Sequence, residues 1–135
     1  MIKLLFVLLT TQFVIAPAAD NSGHFATGSI YGLWKGTFTV SDGSTGTFYF
    51  SIKPDHQLLI ENYHNGVQRI ANGTWKLKGK IFTCTGKYFY GHSSNIGTVT
   101  THRAIFNGTD KLEKGVWKNL QPNDDTGGFS LRKIK

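Results

Sequence analysis

The sequence predicts an all-β protein, and two observations carry that prediction. From residue 32 onward, apolar and polar side chains alternate with period two, and no segment keeps a helical period for two turns. Turn-forming clusters recur about every ten residues, in a chain with 16 glycines and 10 phenylalanines. The pattern is typical of short strands joined by tight turns.

Eight strands are predicted between the turn clusters. They are residues 33–40, 47–53, 57–63, 73–77, 81–90, 97–106, 111–118 and 128–134. Every connection is too short for a crossover helix, so neighbouring strands are expected to pair antiparallel. Pairing of the last strand with the first would leave no free sheet edge, so we predict an eight-stranded antiparallel up-and-down barrel. A two-sheet sandwich is the alternative that the sequence leaves open.

The N-terminus has the features of a secretory signal peptide. Lys3 precedes an apolar stretch at 4–15, and the Ala-Pro-Ala triplet at 16–18 is a small-residue cleavage site. The apolar stretch is too short to span a bilayer, so we expect no membrane anchor. The protein is therefore expected to be secreted or periplasmic. The predicted organisation is a signal peptide at 1–18, a leader segment at 19–31 and a β-barrel domain at 32–135.

Charge and strand parity bear on the class of partner. Lys and Arg number 15 against 8 Asp and Glu, which gives a formal net charge of +7. Lysines such as Lys35, Lys76 and Lys87 lie on the strand face opposite the aromatic rings. Bases stacking on the rings would therefore not meet the lysines, and we expect no nucleic-acid partner. The single cysteine, Cys84, is expected to be a small core residue.

The alternation assigns most inward positions and both ends of the barrel. Trp34 and Phe38 share one face of the first strand, and the sixth strand is ambiguous, with either His102 or Arg103 pointing inward. The first, third, fifth and seventh connections share one end, are read as long and polar, and form a mouth. The second, fourth and sixth connections are short and form a closed base.

The Gly-Leu-Trp triplet at 32–34, with Arg132 and Lys133 late in the last strand, resembles the calycin superfamily. That superfamily holds lipocalins, fatty-acid-binding proteins and avidin-like barrels, and the likeness extends to small lipocalin-like proteins that bacteria secrete. The resemblance covers 32–135. It implies that Trp34 plugs the base with a basic side chain, Arg132 or Lys133, packed beside it.

Motifs for catalysis or metal binding are not evident. Gly-x-Ser-x-Gly, a P-loop and paired cysteines are all missing from the sequence. Five histidines occur, but none are spaced for shared ligation of a metal. We therefore expect no catalytic residues, no metal and no cofactor.

The mouth is the remaining candidate site. Trp75, Tyr88 and Trp117 are expected at one level near the opening, where a ligand would stack against the two indoles. Tyr88 would offer its hydroxyl, and His102 or Arg103 would meet a polar group lower down. A core filled by the three aromatic rings is the competing interpretation.

These observations predict a secreted, non-catalytic, lipocalin-like binding protein. Its expected partner is a small apolar or amphiphilic ligand held at the barrel mouth. Two alternatives come from other classes of protein. One is a protein-interaction or inhibitor module that uses the mouth loops above a filled barrel, and the other is an enzyme of unknown type.

Overall fold

The computed structural model describes residues 28–121 and 124–135, which hold eight strands. The predicted signal peptide at 1–18 and the leader up to residue 27 lie outside this part of the chain. The strands are β1 (Gly32–Thr39), β2 (Thr45–Ile52), β3 (Gln57–His64), β4 (Val67–Lys78), β5 (Ile81–Tyr90), β6 (Val99–Phe106), β7 (Lys111–Gln121) and β8 (Thr126–Lys133).

Hydrogen bonding closes the eight strands into one barrel. Each strand pairs antiparallel with the next along the chain, and β8 pairs with β1, with Trp34 opposite Lys133 and Phe38 opposite Phe129. The predicted up-and-down barrel is confirmed, and the closed strand order excludes the two-sheet sandwich. This architecture is consistent with a calycin-like fold.

The lower half of the barrel is filled by large side chains. Inward positions predicted from alternation, such as Trp34 and Phe38, are buried, and aromatic rings pack against one another across the interior. Phe48 lies 5.4 Å from Phe50 between ring centroids, and Phe50 lies 6.4 Å from Phe82. The largest fully buried side chains of the core are Trp34, Phe48, Phe50, Phe82, Phe106, Ile52, Ile60 and Leu112.

The burial of its side chains shows which face of the sixth strand points into the barrel. On β6, Thr100, His102, Ala104 and Phe106 are buried, whereas Arg103 is exposed. His102 therefore points into the barrel and Arg103 points to solvent. The expectation that one of the two would face inward is met by the histidine, because neutral imidazole is far cheaper to bury than a guanidinium ion.

β4 is longer than predicted and begins at Val67 rather than at residue 73. Asn65 and Gly66 form a two-residue turn with φ angles of 51° and 73°, and His64 then pairs directly with Val67. The third connection is therefore short, not long. The sequence hides this part of the strand because Arg69 occupies an inward position at the mouth, where the alternation predicts an apolar residue.

The base is closed by the segment 28–31. Trp34 is fully buried there, and its indole Nε1 donates a 2.9 Å hydrogen bond to the carbonyl oxygen of Ile30, which is itself buried. Lys133 donates from Nζ to the carbonyl oxygen of Ser29 at 2.6 Å. Arg132 is exposed on the outer face and is paired in register with Lys35. The basic residue of the base is thus Lys133, because strand parity turns Arg132 outward.

Candidate functional site

A cavity of ≈ 80 Å³ lies at the mouth of the barrel. Aromatic and apolar side chains from β1, β2, β5 and β7 line one part of it, and polar side chains from β3, β4, β7 and the mouth loops line the rest. We call this space the mouth cavity. Its lining residues are Phe38, Val40, Phe48, Asn62, His64, Arg69, Tyr88, Asn95, Trp117, Asn119 and Asp125.

The structure brings only part of the predicted site together. Tyr88 and Trp117 both line the mouth cavity. His102 lies in the barrel interior, where its ring contacts the cavity-lining Phe48 at 5.3 Å between centroids. Arg103 lies on the outer surface, away from the mouth cavity.

Trp75 lies near the base, so its predicted place at the mouth is wrong. Its backbone N–H donates to the carbonyl of His56 in the β2–β3 connection, and its indole Nε1 donates to the carbonyl of Lys53 at 2.9 Å. The rings of Tyr31 and His56 cover it at 5.8 and 5.2 Å. The error follows from the start of β4, because six further residues separate Trp75 from the mouth.

Three polar residues of the mouth cavity were missed by the sequence reasoning, although strand parity could have found them. Asn62 shares its parity with the buried Ile60 on β3, and Asn119 shares its parity with Trp117 on β7. Arg69 shares its parity with Trp75 on β4. Continuing each period-two pattern toward the mouth by one or two alternate positions, regardless of polarity, would have placed all three inside.

Tyr88 is held as a neutral phenol within the cavity wall. Asn62 donates from Nδ2 to its hydroxyl oxygen at 2.8 Å. Burial raises the pKa of Tyr88 to about 12, against the opposing effect of the Arg69 charge and the Asn62 hydrogen bond. The oxygen accepts from Asn62, so its own proton remains available to a ligand.

Trp117 contributes apolar ring surface, because its one polar group is already used. The indole Nε1 donates to the carbonyl oxygen of Thr39 at 2.9 Å. Phe38 meets the indole edge-on at 5.9 Å and stacks on Phe48 at 4.2 Å. The three rings form a continuous aromatic wall of the cavity, which suits the apolar part of a ligand.

The loops around the mouth are tied to one another by side-chain hydrogen bonds. Arg69 donates from Nε to Asn95 Oδ1 at 2.9 Å, which fixes the β5–β6 connection against β4. Asp125 accepts from the hydroxyl of Ser41 at 2.7 Å, which joins the β7–β8 connection to the β1–β2 connection. The rim of the cavity is thus preorganised, which lowers the entropic cost of binding.

A serine, a histidine and an aspartate also meet at the mouth. Ser44 Oγ lies 2.5 Å from Asp42 Oδ1 and 2.7 Å from His64 Nε2. A carboxylate only accepts, so the hydroxyl proton goes to Asp42, and the oxygen of Ser44 accepts from the ring N–H of His64. The hydrogen bonds that the hydroxyl and the backbone N–H of Ser44 donate to Asp42 lower the pKa of that carboxyl. His64 therefore does not act as a base toward Ser44 here, unlike in an activated nucleophile.

In the wall of the mouth cavity and below it, the interior carries polar atoms without protein partners. Within the described residues, no donor or acceptor reaches Asn62 Oδ1, Thr98 Oγ1, Thr100 Oγ1 or either ring nitrogen of His102. Burial lowers the pKa of His102 to about 3, so its imidazole is neutral at physiological pH. Leaving a buried polar group unpaired costs about 1–3 kcal/mol.

Neither a cluster of metal-ligating side chains nor a membrane-spanning helix is found among the residues that the structure describes. Within 28–121 and 124–135, no three His, Cys, Asp or Glu side chains come together in a way that would hold a metal ion. In the same part of the chain, no helix has the length and apolar character needed to cross a membrane.

Comparison with protein-family models and with curated proteins found no match to this chain.

Proposed function

We propose that this protein is a secreted, non-catalytic, lipocalin-like binding protein that holds a small, partly apolar ligand at the barrel mouth. One observation carries the proposal: the mouth cavity combines a wall of aromatic rings with convergent polar side chains in one concave space. Such a combination suits a ligand with one apolar and one hydrogen-bonding part.

The volume of the cavity limits what it can hold. Its ≈ 80 Å³ is about half of an apolar cavity of about 150 Å³ that accommodates benzene. Sites for drug-sized ligands measure about 300–1,000 Å³. The ligand is therefore a very small molecule, or a larger one that inserts only one end and leaves the rest at the rim.

The proposed ligand orientation follows from the free polar groups. Trp117 presents its ring because its N–H is bonded to Thr39, and Tyr88 presents its hydroxyl proton because Asn62 already donates to its oxygen. The apolar part of the ligand then packs on Trp117 and the adjoining phenylalanines. An acceptor atom of the ligand meets the hydroxyl of Tyr88.

Two tryptophans provide a matched test of this site. Trp117 at the mouth and Trp75 at the base are 7% and 6% exposed, and each donates its indole N–H to a backbone carbonyl at 2.9 Å. Trp117→Phe and Trp75→Phe therefore remove equivalent groups at opposite ends of the barrel. Each loses one hydrogen bond, worth about 1 kcal/mol of stability, and some ring area.

Native mass spectrometry of protein purified from its own host measures the bound small molecule and the assembly together. We expect a bound small molecule that the Trp117→Phe variant retains at lower occupancy, while Trp75→Phe retains it fully. Thermal unfolding of both variants controls for stability. Equal occupancy in the two variants would place the ligand elsewhere, and a protein without any bound small molecule would remove the basis of the proposal.

A protein-interaction or inhibitor module is the second candidate, because the lower half of the barrel is filled and the mouth loops are tied together. Ile96 in the β5–β6 connection is 54% exposed at the same end. If the loops dock on a protein, Ile96→Asp abolishes capture of that protein, and Trp117→Phe leaves it intact. A small-molecule carrier responds to the two variants in the opposite way.

A further inference from the structure

Four inward side chains, which we call the polar layer, extend from the wall of the mouth cavity toward the base. They are Asn62, Thr98, Thr100 and His102, with 4%, 1%, 0% and 2% of their surface exposed. Together they carry five polar atoms that no described protein group reaches. Buried polar atoms in folded proteins are almost always hydrogen-bonded, so each of these five atoms calls for a partner.

The polar layer is continuous with the cavity above it. Asn62 belongs to both, since it lines the cavity and donates to the hydroxyl of Tyr88. Tyr88 in turn pairs through its backbone N–H with the carbonyl of Thr98 at 3.0 Å. Thr98, Thr100 and His102 then follow at alternate positions toward the base. Alternate residues on a strand lie about 6–7 Å apart, so the polar layer extends about 13 Å from Thr98 to His102.

Thr100 and His102 are also adjacent to lining residues of the cavity. Thr100 is opposite Asn119 in the β6–β7 register, and His102 is opposite Trp117. Phe48, another lining residue, meets the His102 ring edge-on at 5.3 Å. Phe50 and Phe129 also pack against this ring, at 5.2 and 5.6 Å between centroids, so a ligand reaches the imidazole by displacing an aromatic side chain.

The layer contains donors and acceptors but no charge. Neutral imidazole presents one N–H donor and one acceptor nitrogen, and each threonine hydroxyl serves as both. Arg69, the cation that lines the cavity, lies above and is bonded to Asn95. An ionised ligand group would lose its hydration here without meeting a counter-charge, whereas an uncharged amide or alcohol would have its hydrogen bonds replaced.

We propose that the polar layer is the deep end of the ligand site and that it takes an uncharged hydrogen-bonding group of the amide or alcohol type. This inference rests on the proposed function and specifies the chemistry of the ligand end that enters first. The oxygen of that group accepts a hydrogen bond from a threonine hydroxyl or from the imidazole N–H. The N–H or O–H of the ligand group donates to Asn62 Oδ1 or to the other imidazole nitrogen.

Propanamide and propanoate are suitable probes, because they have the same shape and differ in charge at about pH 7. Each is titrated into the protein without its predicted signal peptide. NMR records the ¹⁵N chemical shifts of the His102 ring and of the backbone amides of the mouth. The variant Thr100→Val removes one hydroxyl at nearly constant volume, and Thr98→Val serves if the first does not fold. Thr85→Val, on the exposed face of β5, is the matched control.

We expect propanamide to shift the His102 ring nitrogens saturably and to bind at least about tenfold more tightly than propanoate. Thr100→Val should weaken its binding by about three- to tenfold, the value of one hydrogen bond, and Thr85→Val should leave it unchanged. Equal or tighter binding of propanoate overturns the proposal. Shifts confined to the rim, with no effect of Thr100→Val, would refute the polar layer as part of the site but would agree with a ligand site at the mouth cavity. No saturable shift with either probe counts against both.

Discussion

Truncation of Trp34 tests whether the base of the barrel is closed as the structure describes. The variant Trp34→Ala removes an indole that is completely buried, together with the hydrogen bond that joins it to Ile30. Because Ile30 is held through that bond, the segment 28–31 loses one of its attachments at the same time. The loss should be one of stability and should not depend on any ligand.

The magnitude follows from the buried area. An aromatic side chain buries about 150–250 Å². At about 25 cal/mol per Å², complete exposure would cost roughly 4–6 kcal/mol. Alanine keeps Cβ and the surroundings relax in part, so we expect a loss of about 3–5 kcal/mol in the free energy of unfolding. For a domain whose total stability is about 5–15 kcal/mol, this leaves little margin.

Urea unfolding followed by circular dichroism measures the loss, with thermal unfolding as a second readout. For a domain of this size the expected fall in Tm is at least about 12 °C. Leu33→Ala, at the neighbouring position that is 43% exposed, is the control and should change stability by less than about 1 kcal/mol. A loss below about 1.5 kcal/mol for Trp34→Ala would show that the indole does not plug the base.

Two further predictions concern barrel closure and pH. A Cβ at Gly36 would lie 1.8 Å from a carbonyl oxygen of β8, so Gly36→Ala should destabilise by about 1–3 kcal/mol or more, while Gly128→Ala, whose nearest neighbours are 3.6 Å away, should be nearly neutral in the same urea titration. His102 has a folded-state pKa of about 3, below its unfolded value, so the unfolded chain binds an extra proton between about pH 6.5 and 3 and stability falls as pH drops through that window. The variant His102→Phe lacks this group and should lose this pH dependence. Between pH 6.5 and 5, the unfolding free energy of the native protein should therefore fall by roughly 1–2 kcal/mol more than that of the variant. Parallel curves of unfolding free energy against pH would refute the prediction.

The barrel itself could be predicted because its signal is repeated in every strand. Positions such as Phe38, Phe50 and Phe82 alternate with polar residues, and the turns between strands are marked by glycine and asparagine. Closure also followed from the sequence, because an eight-stranded meander must pair its edges or expose them. These features are local or follow from local ones.

The site could be predicted only in part, because its residues violate the pattern that predicts the fold. Arg69 points inward at the mouth, so the polar part of the fourth strand was not recognised as strand. Asn62 lies within the predicted third strand, but as a polar residue it was not expected at an inward position. The consequence was large for Trp75, which the shortened fourth strand placed at the wrong end. The choice between Arg132 and Lys133, in contrast, follows from local alternation, because Lys133 shares its parity with the buried Phe129 and Leu131 on β8.

Both ends of the described chain leave the barrel at its base. Gly28 donates from its backbone N–H to the carbonyl of Gly108 in the β6–β7 connection, and Leu33 donates to the carbonyl of Lys135 at 2.7 Å. The mouth is therefore at the end of the barrel opposite both ends of the described chain. A protein coupled to a sensor chip through Lys135 would present its candidate site to the flowing solution, so binding can be screened on a surface without blocking the site.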